Sequence, residues 1–265
     1  MLQTEKTSLS KKCILEGAWD FNEKDGNALA DSAGNKHKLN ATGLPKFFNE
    51  GHSNSISGVK LDGVTAWLSS INPVVLTDKS YSIVAWVRLD SDLLNNKLAL
   101  KPKEHALTAV SQDSPTHSAF YLGVRQIQES LPNGSVQTSL KWNFTIAPID
   151  GSETGPIEWQ HAHVRTALND SALDKWVMLV GVCDVEQRSA YIYVPNLGES
   201  GKVIVPNEWV FWKAKGGFQV GRSLWLGRNV DQWPGSISRV RAFSGVLTEE
   251  DAKMLYLKDS ILYST

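Results

Sequence analysis

The stretch SYSIVAWVRL at residues 80–89 decides the fold, because apolar residues occupy every second position in it. Successive side chains of a β-strand point to opposite faces, so these apolar residues share one face. They are Tyr81, Ile83, Ala85, Val87 and Leu89. The stretch SAFYLGVR at residues 118–125 repeats the pattern, with an apolar face made by Phe120, Leu122 and Val124. Both stretches therefore predict strands that bury one face.

Shorter segments of the same character lie on both sides of these two stretches. They cover residues 14–21, 58–61, 107–111, 140–146, 176–183, 190–194, 217–222 and 237–243. Turn signals such as Asp62-Gly63 and Asn133-Gly134 separate them. Many short strands at this spacing predict an all-β fold, a two-sheet antiparallel β-sandwich, in preference to an alternating α/β fold.

One short helix is predicted at the C-terminal end of the chain. Thr248 is a suitable N-cap, and residues 249–251 place three acidic side chains in the first turn. Ala252, Leu255 and Tyr256 then supply one apolar side. We expect this helix to close one edge of the sandwich.

Length, charge and composition limit the classes of function. The chain has 265 residues, 27 Lys and Arg against 28 Asp and Glu, and a formal net charge of −1. This balance excludes electrostatic binding of nucleic acid or acidic membranes as the main activity, and no apolar run is long enough to span a bilayer. Without a composition break, the sequence predicts one domain over residues 15–260, preceded by an extension over residues 1–14.

The N-terminal segment has three lysines but no apolar stretch of signal-peptide length. The expectation is therefore a cytosolic protein or a domain of a longer secreted chain. Cys13 and Cys183 have no zinc-type spacing. Two thiols outside any disulfide are the favoured interpretation, and one disulfide between them is the alternative.

Seven segments occur in the order found in one known family. They are AWDFNEKDGNALADSAGN (18–35), VKLDGVTAWL (59–68), SYSIVAWVRLD (80–90), TAVSQDSPTHSAFYLGV (108–124), KWVMLVGVCD (175–184), YIYV (191–194) and QVGRSLWLGRNVDQWPGSISRVRAFSGVLTEED (219–251). In this respect the chain resembles the laminin-G-like (concanavalin A-like) jelly-roll domains of bacterial proteins. The resemblance implies a jelly roll with one concave sheet, in a family usually found in secreted or surface proteins. It leaves the function open, because this fold hosts lectins, adhesion domains and enzymes.

The resemblance also implies a candidate cofactor. Relatives that hold a structural calcium draw acidic ligands from the ends of the chain, and Asp31 is such a residue here. Many relatives have two aspartates where this chain has Ser238 and Arg239. Asp31 is therefore the candidate metal ligand, with an incomplete set of oxygen partners around it.

No catalytic motif stands out, so the sequence leans away from an enzyme. Jelly-roll glucanases place their acids as E-x-D-x-E on one strand, and this chain has no such run. Asp184 and Glu186 have the spacing but lie at a turn, where acidic side chains are normally just solvated. The residue types used by jelly-roll lyases are present at Gln112, His117, Tyr121 and Arg125, without a recognisable lyase spacing.

Two histidines two residues apart, His161 and His163, would share one face of a strand. They could hold a metal ion together with a third ligand. An exposed polar edge is the favoured interpretation, because the sequence offers no obvious third partner.

Ten tryptophans are the compositional anomaly of the chain. Trp19, Trp67, Trp142 and Trp176 fall in strand positions that predict packing roles. Trp209 and Trp212 stand in EWVFW and are weaker loop candidates. Residues predicted to bind a ligand on the concave face or in the end loops are Trp86, Tyr121, Trp159, Arg222, Trp225 and Trp233. For Trp225 and Trp233, capping of the open ends of the sandwich is an equally supported alternative.

These observations favour a non-catalytic binding domain that recognises a glycan or a protein surface. A neutral ligand such as a glycan suits the neutral chain. One alternative is an enzyme, carbohydrate-active or acting on small molecules, with a groove built by the long insertions 90–105 and 150–174. Another alternative is an interaction domain of a larger surface protein.

Overall fold

A computed structural model describes residues 13–23, 28–50, 56–100, 106–130, 133–151 and 158–263 of the chain. Its strands, in chain order, are β1 (Ile14–Trp19), β2 (Ala28–Leu29), β3 (Leu39–Thr42), β4 (Lys46–Glu50), β5 (Ile56–Asp62), β6 (Trp67–Ser69), β7 (Tyr81–Leu89), β8 (Ala106–Asp113), β9 (Ser118–Ser130), β10 (Val136–Ile146), β11 (Gln160–His163), β12 (Val177–Asp184), β13 (Ser189–Val194), β14 (Glu199–Ile204), β15 (Phe218–Val220), β16 (Ser223–Trp225), β17 (Arg228–Val230) and β18 (Pro234–Ser244). The helices in the same residues are α1 (Ser91–Leu100) and α2 (Glu249–Tyr263). Every strand segment predicted from the sequence overlaps one of these strands.

Within the described residues, sixteen strands form two antiparallel sheets of eight. The first sheet has the order β14-β13-β12-β7-β18-β5-β4, and β1 pairs with β18. The second sheet has the order β11-β10-β9-β8-β15-β6-β3-β2, and β16 and β17 form a separate hairpin. This arrangement confirms the predicted two-sheet antiparallel sandwich with a short C-terminal helix.

The core lies between the two sheets and is built from the alternating strands that the sequence predicted. Ile83 and Ala85 of β7 face it from the first sheet, and Phe120 and Leu122 of β9 face it from the second. Each is 0% exposed, and the ring of Tyr81 lies 5.2 Å from that of Phe120. Burying each large apolar side chain contributes about 1.5–3 kcal/mol to folding.

Helix α2 covers the outer face of the first sheet. Its start is fixed by a reciprocal cap, in which the backbone N–H of Asp251 donates to Thr248 Oγ1 and that of Thr248 donates to an Asp251 carboxylate oxygen. Arg241 of β18 donates to Asp259 of the helix at 2.6 Å. No helix in the described residues is long and apolar enough to cross a membrane.

Trp86 lies under this helix, so its predicted role on a ligand-binding face is wrong for this structure. Its ring is 1% exposed, stacks 3.9 Å from the ring of Tyr263 and donates its indole N–H to Asp259. The alternation of the sequence correctly predicted that Trp86 points away from the core between the sheets. A helix that begins more than a hundred residues later along the chain then covers it.

Helix α1 occupies most of the segment that the sequence predicted to be a loop insertion. Asp90 caps it, since its side chain accepts the N–H of Leu93 at 3.0 Å and its carbonyl accepts the N–H of Leu94 at 2.9 Å. The asparagines and the short length of DLLNNKLAL weaken its helical signal. Asp90 as an N-cap was the signal available in the sequence.

The hairpin of β16 and β17 folds back over the outer face of the second sheet. The backbone N–H of Leu224 donates to Ser118 Oγ at 2.9 Å, and the Tyr121 hydroxyl donates to the carbonyl of Leu224 at 2.8 Å. The N–H of Gly227 donates to the carbonyl of Thr116 at 2.9 Å. The hairpin therefore walls one side of this face.

The terminal strands of the sandwich are neighbours. Strand β1 pairs with the C-terminal strand β18, with Ile14 opposite Ser244 and Trp19 opposite Val240. Cys13, just before β1, and the buried Cys183 of β12 are not joined by a disulfide, which agrees with the favoured interpretation of the sequence.

Candidate functional site

The outer face of the second sheet carries polar side chains on three adjacent strands, β9, β10 and β11. In the strand register Thr145 lies opposite both Tyr121 and His161. We call this set, with two further outward-pointing residues, the polar row: Tyr121, Arg125, Asn143, Thr145 and His161. A small cavity of about 10 Å³ is lined by four of its members, Tyr121, Arg125, Asn143 and Thr145.

The row has a buried floor and a half-exposed edge. Tyr121, Asn143 and Thr145 are buried, whereas Arg125 and His161 are half-buried. Gly123 lies between Tyr121 and Arg125 on β9. A Cβ added there would come 2.1 Å from the carbonyl oxygen of Leu107 on the bulged strand β8. The close approach of the two backbones thus excludes a side chain at this point.

A chain of hydrogen bonds orients His161. Asn143 donates through Nδ2 to the carbonyl of Ala162 at 3.0 Å, so its Oδ1 is left to accept the hydroxyl proton of Thr145. Because the Thr145 proton is used in that bond, the 2.8 Å contact between Thr145 Oγ1 and His161 Nδ1 requires Nδ1 to donate. This inference assigns the proton to Nδ1 and makes Nε2 the acceptor.

The imidazole of His161 is neutral at physiological pH. Burial, followed by the nearby charges of Arg125 and His163, lowers its pKa from 6.5 to about 3. Its Nε2 atom has no hydrogen-bond partner among the described residues. His161 therefore presents a lone pair rather than a positive charge.

Arg125 supplies the positive charge at this edge. Burial lowers its pKa, while the charges of Asp231 and Tyr121 act in the opposite direction. An arginine remains protonated even after such a shift. The edge thus combines a fixed cation with a neutral acceptor.

Aromatic rings flank the row. Trp159, half-buried, lies 5.4 Å from the ring of Tyr121 and 5.4 Å from that of His117. Burial raises the pKa of Tyr121 well above its usual value, so its phenol stays protonated and keeps its bond to Leu224. Tyr121 therefore helps to position the hairpin.

Trp225 stands at the tip of that hairpin and is 40% exposed. The two-residue turn Leu226-Gly227 has φ angles of 49° and 70°, as tight two-residue hairpins require. A leucine in this left-handed region costs about 1–2 kcal/mol. This strained turn places the indole of Trp225 partly in solvent.

Two other predicted ligand residues do not reach this surface. Arg222 is buried and pairs with Asp113 at 2.6 Å, with its guanidinium 5.6 Å from the ring of Trp67. Trp233 is 0% exposed and its ring lies 6.4 Å from that of Trp142. The prediction that these two side chains contact a ligand is wrong for this structure, because one is used in an ion pair and the other in the core.

The remaining tryptophans divide between core and surface. Trp19 and Trp142 are buried in the core as predicted, and Trp209 is buried as well. Trp67 and Trp176 are half-buried; Trp176 packs under Arg88 and donates to Glu50 at 3.0 Å. The half-buried Trp212 donates to the carbonyl of Ala147.

The lyase-like and acidic candidates have mostly structural roles. Gln112 accepts the N–H groups of Val74 and Val75 through Oε1 and is buried. Asp184 accepts the N–H of Gln187 within a turn but is buried, whereas the sequence predicted a solvated side chain. Of the four lyase-type residues, the structure places Tyr121 and Arg125 together on the polar row.

The residues around Asp31 do not fit a calcium ion. The Asp31 carboxylate accepts the N–H groups of Ala18, Ala33 and His37 at 2.9, 2.9 and 3.3 Å. Arg239 places its guanidinium 3.8 Å from Asp20 and 3.8 Å from Asp259, so an arginine cation already faces the nearby carboxylates.

In the described part of the chain, no group of three or more His, Cys, Asp or Glu side chains is arranged to hold a metal ion. His161 and His163 do share a strand, but their Nδ1 atoms lie at 2.8 Å from Thr145 and 3.0 Å from the carbonyl of Val164. They therefore serve the hydrogen-bond network of the sheet.

The described parts of the long insertions 90–105 and 150–174 meet at one cavity. This cavity of about 160 Å³ is lined by Leu94 and Leu98 of α1 and by Leu168 and Leu173 of the second insertion. Among its described lining residues, Asp170 is the one with a titratable side chain. His161 and His163, on the outer face of β11, do not line this cavity.

Sequence reasoning missed Asn143 and Thr145. The signal was present in KWNFTI at residues 141–146, where Lys141, Asn143 and Thr145 alternate with three apolar side chains. The apolar positions were used to predict burial, and the polar positions define the row.

Comparisons with known proteins extend these observations. The sequence model of the family described as "Concanavalin A-like lectin/glucanases superfamily" matches residues 62–253. No curated protein matches the chain.

Solved structures share the fold at low sequence identity. Domain 4 of AbnA, a GH43 extracellular arabinanase from Geobacillus stearothermophilus solved in complex with arabinotriose, is 16% identical, with a TM-score of 0.56 over 92% of this chain and 99% of that one. The binding domain of botulinum neurotoxin serotype C1 is 12% identical, with a TM-score of 0.56 over 92% of this chain and 52% of that one. The chain thus spans about half the length of the neurotoxin domain.

Proposed function

Since the chain belongs to the concanavalin A-like lectin/glucanases superfamily, we propose that it is a glycan-binding domain whose site is the polar row flanked by Trp159 and Trp225. The family membership agrees with the resemblance seen in the sequence. Location outside the cytoplasm is part of the proposal, because the family is common in secreted and surface proteins.

One observation carries the proposal: the buried Asn143 and Thr145 hold the half-buried His161 in a fixed orientation near the charge of Arg125. The Asn143–Thr145 relay fixes the imidazole with Nε2 as acceptor. Arg125 supplies planar donors beside it. A sugar presents both donors and acceptors on one ring, so an acceptor next to a donor suits a pair of adjacent hydroxyl groups.

The flanking indoles suit the apolar face of a sugar ring. Trp159 is held against Tyr121 and His117, which limits the entropy lost when a ligand stacks on it. Trp225 stands at the hairpin tip with its ring partly in solvent. The AbnA domain was solved with arabinotriose, and arabino-oligosaccharides are therefore the first ligands to test.

The test is a glycan array followed by calorimetric titration of each positive glycan with variants. Arg125→Gln and Trp159→Ala are each expected to weaken binding about tenfold or more, the equivalent of about 1.4 kcal/mol. Lys213→Gln, a change of an exposed cation outside the row, is the matched control and should bind like the wild type. Absence of binding to every glycan, or binding unaffected by both row variants, would overturn the proposal.

The free Nε2 of His161 favours a second candidate, a carbohydrate-active enzyme in which this atom is the general base. A general base must be unprotonated at the working pH, and the lowered pKa of His161 meets that condition. Release of new reducing ends from a bound polysaccharide, lost in His161→Gln, would support it. Binding without any turnover would leave the binding domain as the function.

A further inference from the structure

A third cavity lies where the chain crosses from one sheet to the other. Residues 165–176 connect β11 of the second sheet to β12 of the first, and we call them the crossing segment. Beneath them is a space of about 370 Å³, here named the end pocket. Its inner wall includes Trp142, Leu168 and Val177, and its rim includes Lys175.

The crossing segment is anchored along its length, so the end pocket is a built feature of the fold. The N–H groups of Arg165 and Thr166 donate to Glu199 at 2.9 and 3.1 Å. That of Leu168 donates to the carbonyl of Leu140 at 2.7 Å, and that of Asp174 to the carbonyl of Leu89 at 2.8 Å. These bonds tie the segment to strands of both sheets.

The inner wall is apolar. Trp142 is 2% exposed, and its ring lies 6.4 Å from that of Trp233. Val177 is buried, and Leu168 packs against the same core. A ligand that enters the pocket thus meets an apolar wall formed by the end of the core.

Charge at the rim selects the kind of ligand. Lys175 is exposed and forms no ion pair with the described residues, whereas Asp174 next to it accepts the N–H of Ser91. On the far side of Leu168 lies the cavity lined by Leu94, which continues the space toward α1 and has the exposed Asp170 as its charged lining residue. A ligand with an elongated apolar part and one negatively charged end therefore matches the apolar wall and the lysine at the rim.

We propose that the end pocket binds an aliphatic monocarboxylic acid. Its hydrocarbon chain lies against Trp142 and Leu168, and its carboxylate faces Lys175. The cavity falls within the 300–1,000 Å³ typical of small-molecule sites. Because Trp142 points inward from β10 while Asn143 points outward, this site is separate from the polar row.

The first experiment is titration of the full chain with decanoate and with decan-1-ol, followed by calorimetry. Decanoate is expected to bind, with decan-1-ol at least about fivefold weaker because it lacks the charge that Lys175 attracts. Lys175→Gln should weaken decanoate to the level of the alcohol, and Lys213→Gln should not. Equal binding of acid and alcohol by the wild type would overturn the carboxylate assignment, and binding of neither would overturn the site.

The location is tested without relying on a core variant. A decanoic acid brominated at the end of its chain should quench tryptophan fluorescence, because Trp142 and Trp176 line the pocket. Ala172→Phe fills the space from the crossing segment and should abolish both quenching and heat. Binding of decanoate without quenching, or unchanged binding to a folded Ala172→Phe variant, would place the ligand elsewhere. A glycan still binding to Ala172→Phe would show that the two sites fail independently.

Discussion

The strands of the two sheets share the same alternating pattern, but their outer faces differ in composition and in burial. On the first sheet, Trp86 and its neighbours are apolar and sealed beneath α2. On the second sheet, polar side chains such as Asn143 and Thr145 are satisfied by one another and leave Arg125 and His161 at the edge. A face that a helix covers becomes a second apolar core, whereas a face that a hairpin covers in part keeps half-buried polar side chains at its edge.

The largest expected effect comes from removing the main ring of the sealed face. Trp86→Ala deletes the stack on Tyr263 and the bond to Asp259, and should lower the free energy of unfolding by about 3–5 kcal/mol. Chemical denaturation measures this change. Trp159→Ala, on the other sheet, is the comparison variant and should cost less than about 1 kcal/mol. Equal losses in the two variants would mean that the faces do not differ in this way.

A smaller effect on the free energy of unfolding is expected from a change of pH, and it arises from His161 on the outer face of the second sheet. The folded pKa of His161, about 3, lies below its usual 6.5, so the unfolded chain takes up the proton first. Its contribution to stability is complete above pH 6.5 and is lost as the pH falls toward 3. For a half-exposed ring we expect on the order of 1–2 kcal/mol.

Carboxyl groups titrate in the same window, so His161→Gln provides the reference. The difference between the unfolding free energies of wild type and variant, measured by denaturation from pH 7 to pH 4, isolates the histidine. A difference that stays constant over this range would contradict the lowered pKa of His161.

The smallest expected effect is from chelation of divalent cations. Asp31 is engaged by three backbone N–H groups, and Arg239 faces Asp20 and Asp259. We therefore expect the melting temperature to be the same in calcium and in excess chelator, within the error of a thermal-shift assay. A rise of several degrees with calcium would show that the ends of the chain rearrange around the ion.

The comparison also shows what could be predicted from the sequence. Alternation within one segment is a local property, so it identified the strands and the residues that face the core. Which outer face is covered depends on segments far along the chain, and the pattern around Trp86 holds no trace of the helix that contains Tyr263. The same limit explains the wrong expectation for Trp233, which looked like a loop residue but enters the core just before β18.

The candidate site was predictable only in part, for a similar reason. Tyr121, Arg125 and Trp159 were singled out as residue types, and the structure brings them to one face. Their connection through Asn143 and Thr145 depends on strand register, which joins residues about twenty positions apart. The burial of Arg222 depends on its pairing with Asp113, more than a hundred positions away.

The pairing of β1 with β18 has a mechanical consequence. Ile14 lies opposite Ser244, so the first strand enters the sandwich at the end where the last strand leaves it. Tension applied across this pair would load its hydrogen bonds one after another from the Ile14 end, so the buried Trp19 at the other end of β1 would be the last residue of the strand to separate.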